Sequence, residues 1–234
     1  MIFTSDIFVQ IPILTSRLGW KNNDFCITQW YPKPAVYDSD GWHPMSYLDM
    51  GEFYSEFGDF EVNITLPDNF LVAATGDLIT RNELHRLEDF AEICSKAKSV
   101  DKIGPYGDSL KSKTITYIAK NVHDFAWFAS SDFIVNRKTY QIKNRENHVA
   151  CWTFYHKSET WVWQDAVEYI SKTIDFMTDN VGDYPFNNCI AVDAPIGAGG
   201  GMEYPGITVV KGSSKMALER VIAHEVIHNW FYGM

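Results

Sequence analysis

Phe60, Val62, Ile64 and Leu66 alternate with Glu61, Asn63 and Thr65 until Pro67-Asp68 stops the run. A period of two places these sets on opposite faces of an extended strand, one for a core and one for water. Similar short runs occur at Phe70–Thr75, Thr114–Ala119, Ala126–Ala129, Phe133–Asn136 and Thr139–Lys143. Turn-forming residues separate them: Pro32-Lys33-Pro34, Ser39-Asp40-Gly41 and Gly104-Pro105-Tyr106-Gly107. Many short strands joined by turns predict an antiparallel sandwich or saddle over residues 1–145. One helix is predicted from Glu83 to Lys98, where Leu84, Leu87, Ala91 and Cys94 recur at spacings of three and four.

The texture changes after residue 145. Val149–Tyr155 reads as a strand, and Ser158 as the N-cap of a helix with Val162, Ala166, Ile170, Ile174 and Met177 on one face. Gly182 and Pro185 end that helix. Cys189–Val192 and Gly206–Val210 read as strands flanking a glycine-rich loop, and Ser213-Ser214 open a last helix that is predicted to run to the end. The fold class is therefore α+β, with a domain boundary near 145. The 234 residues suffice for one large or two small domains.

Charge and composition remove some functions. Twenty basic against thirty acidic residues give a net charge of −10, unsuited to a phosphate backbone, so nucleic acid is not an expected partner. No stretch reaches the ~18 apolar residues of a membrane span. Cys26, Cys94, Cys151 and Cys189 are far apart and form no CxxC pair, which excludes a zinc ribbon. They leave the compartment open, cytoplasmic or extracytoplasmic alike. The aromatic content of 15% reads first as core.

Chemistry concentrates in His224-Glu225-Val226-Ile227-His228. On a helix, residues four apart share a face, so both imidazoles can reach one ion while Glu225 projects beside it. Imidazole is a good zinc ligand, and a catalytic zinc usually has three protein ligands and an open position. The alternative is two incidental histidines on a core helix. Their proximity to a buried acid counts against that, because such groups need a partner to offset desolvation.

The second feature is Gly197-Ala198-Gly199-Gly200-Gly201-Met202-Glu203-Tyr204-Pro205. A dinucleotide fingerprint needs glycine where Met202 stands, and no Gly-Lys-[Ser/Thr] follows for a phosphate loop. The glycines instead suit a backbone lying close to another group, with Glu203 available to pair with a cation. Alone, the segment reads better as a plain flexible turn with a solvated acid.

Gly200-Gly201-Met202-Glu203 a short distance before His224-Glu225-Val226-Ile227-His228-Asn229-Trp230-Phe231 resembles the aminopeptidase N family of zinc metallopeptidases, the gluzincin aminopeptidases. Ile27-Thr28-Gln29-Trp30-Tyr31-Pro32, Gly51-Glu52-Phe53-Tyr54 and the strand ending at Leu66-Pro67 are similar to that family's N-terminal β-domain. The resemblance implies that residues 1–145 are the C-terminal portion of that β-domain. It makes residues 146–234 the first part of a thermolysin-like catalytic domain, truncated after the zinc-binding helix. It makes His224 and His228 ligands of one zinc, and Glu225 the general base. Glu203 then binds the substrate's free α-amino group, with Gly200, Gly201 and Met202 contacting the peptide. Tyr204 stands where the family usually has Asn. The family's third zinc ligand, a Glu on a later helix, and its transition-state Tyr are expected beyond Met234, so zinc occupancy and activity of this chain alone are expected to be low. Val226, Ile227, Trp230 and Phe231 are expected to be partly exposed or covered by a second copy of the chain. A zinc endopeptidase and a non-catalytic peptide- or glycan-binding module remain alternatives. His43, His85, His123, His148 and His156 are read as surface or internally satisfied histidines, and Asp124 as structural.

Overall fold

The computed structural model describes residues 2–48, 51, 54–142, 146, 148–196 and 200–233. The strands in chain order are β1 Gly19–Lys21, β2 Asp24–Ile27, β3 Val36–Asp38, β4 Gly41–His43, β5 Gly58–Pro67, β6 Leu71–Ala74, β7 Asp77–Leu78 and β8 Ser112–Val122. They continue as β9 Trp127–Ser130, β10 Phe133–Gln141, β11 His148–His156, β12 Asn188–Asp193, β13 Gly201–Tyr204 and β14 Ile207–Val210. The helices are α1 Arg81–Lys96, α2 Thr160–Trp163, α3 Ala166–Asn180 and α4 Lys215–Ile227. The fold is α+β.

Antiparallel pairing dominates the first half, as the alternating pattern predicts. One sheet has the order β1-β2-β9-β6, another β5-β8-β7, and β3-β4 form a separate hairpin. Val62 and Ile64 of β5 and Ile115, Tyr117 and Ala119 of β8 pack against Val72, Ala74 and Ala129 of the neighbouring sheet, with Phe125 fully buried between them. Two sheets sharing one apolar layer are a sandwich, the arrangement that lets each half-buried strand hide its apolar set.

The second half is built on a mixed sheet of order β10-β11-β12-β14-β13, parallel at β11-β12 and β12-β14 and antiparallel at both edges. Cys151 through Tyr155 of β11 are all buried, as expected of a strand covered on both faces. Cys151 and Cys189 lie opposite each other in register, and all four cysteines are buried free thiols. β10 pairs with β11 over nine residues, so this sheet draws on both sides of the boundary expected near 145; residues 143–145 themselves lie outside the described ones.

His156 joins the two sheet systems. Its Nε2 is 2.9 Å from Asp24 on β2 and its Nδ1 2.9 Å from Asp193 on β12. Burial alone would lower its pKa, but the two carboxylates outweigh this and hold it up at about 10.

Four local expectations change. Phe133–Asn136 and Thr139–Lys143 belong to one continuous strand, β10, ending at Gln141; Lys143 lies outside the described residues. Ser158 does not cap a long helix. A 3-10 turn at Lys157–Glu159 leads into the single turn α2, and α3 starts afresh at Ala166 after Gln164-Asp165. The apolar spacing continues through that break, which is why periodicity alone missed it. The glycine-rich segment is a loop only in part. Gly201–Tyr204 pairs with Ile207–Val210 across Pro205-Gly206, where Pro precedes a glycine at φ +70°, the requirement of a type II turn. The last helix ends at Ile227 and gives way to turns through Tyr232.

Candidate active site

α4 forms because Ser214 caps it and because Leu218, Ile222 and Val226 recur every four residues and bury completely. The Ser214 hydroxyl accepts a hydrogen bond from the Ala217 N–H at 3.2 Å, satisfying one of the free donors of the first turn. The neighbouring face carries His224, exposed, and His228, half-buried, at the helix C-terminus, where the negative end of the dipole favours a cation.

The two imidazoles converge. His228 Nε2 lies 3.3 Å from His224 Nε2, with the rings near perpendicular at 86°. His228 Nδ1 is 3.1 Å from the Phe231 carbonyl, which can only accept, so this nitrogen carries the proton and Nε2 presents its lone pair to His224. For two nitrogens at about 2.05 Å from a tetrahedral zinc, the expected separation is ~3.3 Å. The pair thus has the spacing of two ligands on one ion.

Carboxylates complete the cluster. Oxygens of Glu203 and Glu225 and a ring nitrogen of His228 all lie within 4.8 Å of one another. Glu225 is buried, and its Oε2 has no hydrogen-bond partner. An orphaned buried carboxylate oxygen with the Glu203 carboxylate and the His228 imidazole in reach is a donor set that fits a divalent cation, and His224 joins it through its contact with His228. Burial, and then the Glu203 carboxylate facing it, push the Glu225 pKa above the usual carboxylate range. A cleft of about 470 Å³ opens here, lined by Gly200, Gly201, Ala217, Arg220, Val221, His224 and Glu225.

The hairpin β13–β14 brings Glu203 to this helix. An ideal Cβ on Gly201 would lie 2.4 Å from Glu225 Oε1, so the strand's backbone rests on the carboxylate. Glu203 is half-buried, whereas Met202 and Tyr204 on the opposite strand face are buried, Tyr204 against Phe128. Gly200 is exposed, and Gly197–Gly199 lie outside the described residues.

Sequence reasoning missed two supporting residues. Buried Asn229 accepts from the Gly206 N–H and donates to the Val226 carbonyl, both at 2.9 Å, locking the hairpin turn to the end of α4. Arg17 donates to the Gly201 carbonyl at 3.1 Å from 184 positions away. A lone Asn after the helix or a lone Arg in a loop carries no periodic signal.

Three further expectations are settled by packing. Val226 and Trp230, expected to be partly exposed, are buried within the chain, Trp230 against Tyr184 and donating to the Gly182 carbonyl, whereas Ile227 is half-buried and Phe231 exposed, as expected. His123 is neither at the surface nor fully satisfied: it is buried between Phe57 and Tyr232, its Nε2 without a partner. Asp124 is structural, fully buried and bound by Gln29, Tyr31, Lys33 and the Phe125 N–H.

No protein-family model and no curated protein matches the sequence. Solved structures do. An M1 zinc metallopeptidase from Deinococcus radiodurans aligns with 95% of this chain at 19% identity and a TM-score of 0.56. Legionella pneumophila aminopeptidase A, in complex with aspartic acid, aligns with 93% at 14% identity and a TM-score of 0.59. The fold is that of M1 zinc metallopeptidases. A variant two-domain M1 enzyme bound to L-arginine aligns with 79% of this chain at 19% identity and a TM-score of 0.51. The chain spans 44%, 23% and 37% of these three M1 structures. Among the described residues no helix is long and apolar enough to cross a membrane.

Proposed function

We propose that this chain carries the metal-gripping and amine-anchoring part of a zinc aminopeptidase site. The observation that carries the reading is the convergence of His224 and His228 at 3.3 Å, with the Glu203 and Glu225 carboxylates within 4.8 Å of His228. His224 and His228 would hold the zinc through Nε2. A zinc ion there supplies Lewis-acid polarisation of a peptide carbonyl and lowers the pKa of a water.

Glu225, buried beside the cleft, takes the proton from the attacking water and passes it to the departing amine. Glu203, on β13 with a carboxylate oxygen within 4.8 Å of one of Glu225's, pairs with the substrate's α-ammonium, which restricts cleavage to the first peptide bond. Gly200, Gly201 and Met202 form the strand along which the peptide lies, Gly201 bringing the backbone close because it has no side chain. The strands before β10 then make up a β-domain, and the sheet from β10 onward with α3 and α4 the start of a catalytic domain.

Two imidazoles are fewer than the three protein ligands usual for catalytic zinc, so residues 1–234 alone should hold zinc weakly and turn over substrate poorly. The test compares a free-amine leucine anilide with its N-acetylated form, with and without zinc. Cleavage confined to the free amine supports the reading. Equal cleavage of both favours an endopeptidase, and zinc-independent peptide binding without cleavage a binding module.

A further inference from the structure

β13 is the open edge of the five-stranded sheet. Lys211 N–H donates to the Gly200 carbonyl at 2.9 Å, and Met202 pairs with Val209. In an antiparallel ladder the intervening residues, Gly201 and Glu203, turn their main-chain groups away from β14. The Gly201 carbonyl on that open edge accepts from Arg17 Nη1 at 3.1 Å. Arg17 is not placed there by chance flexibility: Leu14 N–H donates to the Trp20 carbonyl and Trp20 N–H to the Pro12 carbonyl, both at 2.9 Å, closing the loop that carries it. On its other side Gly201 rests against the Glu225 carboxylate, where no Cβ fits.

We propose that Arg17 is a positioning residue that holds β13 through the Gly201 carbonyl, pinning the strand onto Glu225 and so fixing where Glu203 stands. The contact fixes the spacing between Glu203 and Glu225. The inference rests on the proposed role of Glu203, but the pinning itself is a property of the unliganded chain.

The experiment follows amide hydrogen exchange in wild type, Arg17→Met and Arg17→Lys, with the Ile190 amide on β12 as internal control. Arg17→Met should speed exchange at Met202 and Lys211 by about tenfold, the loss of one charge-assisted hydrogen bond, with Ile190 unchanged and Arg17→Lys partly restoring protection. Titration with L-leucinamide, against N-acetyl-L-leucinamide, should show weakened binding of the free amine in Arg17→Met. Wild-type exchange rates at Met202 and Lys211 in Arg17→Met overturn the proposal. A wild-type chain blind to leucinamide overturns the amine reading, while the exchange rates still decide the role of Arg17.

Discussion

The Nε2 atoms of His224 and His228 lie 3.3 Å apart, and the carboxylate of Glu225, one residue along from the first, is buried with an oxygen within 4.8 Å of the His228 ring. That arrangement separates holding an ion from moving a proton. Glu225→Gln keeps the shape and removes the base. In a version of the protein that turns over peptides, it should lower kcat by about 10²–10⁴-fold while zinc affinity changes little. Steady-state kinetics beside a zinc titration check this; retained turnover would remove Glu225 from the chemistry.

Glu203 stands on a strand and not on a free loop, so its carboxylate has a fixed place relative to Glu225. Truncating it removes a charge-assisted contact worth ~1.5–3 kcal/mol. Glu203→Ala should therefore slow hydrolysis of free-amine substrates by about one to two orders of magnitude and spare N-acetylated ones. Equal losses on both would reject amine recognition.

Ser214 holds the first turn of the helix that carries both histidines. Ser214→Ala should cost about 1 kcal/mol of stability, read as a lower urea midpoint at unchanged slope. An unchanged midpoint would mean that packing of Leu218 and Ile222 alone fixes the helix start.

His156 makes stability depend on pH. Its folded-state pKa is raised to about 10 from the ordinary 6.5, so the charged form is favoured by folding. The stabilisation is complete below 6.5 and is lost as pH rises from there through about 10. Urea midpoints should fall between pH 6.5 and 10 more steeply in wild type than in His156→Asn. Parallel profiles would place the pH dependence elsewhere.

Much of this fold can be read locally. The period-two run at Phe60–Leu66 is β5, and the three- and four-residue spacings around Leu87 and Cys94 are α1, because each element buries one face within its own segment. The site is half legible. Four-residue spacing puts His224 and His228 on one face whatever surrounds them. The hairpin that raises Glu203 to that face needed the Pro205-Gly206 turn to be weighed above the glycines before it. Arg17 was invisible, and Asn229, though part of the motif, gave no sign of its role, since their partners, Gly201 and Gly206, are distant in sequence and are met through main-chain atoms. The buried Val226 and Trp230 show the same limit from the other side: α3 and Tyr184 cover what the helix pattern alone leaves bare.

Calorimetric zinc titration of residues 1–234, beside His224→Ala and His228→Ala, tests the central claim most directly. The account predicts one ion per chain, bound more weakly than the ~10–16 kcal/mol of a structural zinc site and lost in either variant. Binding that survives both substitutions, or none in the wild type, would contradict it.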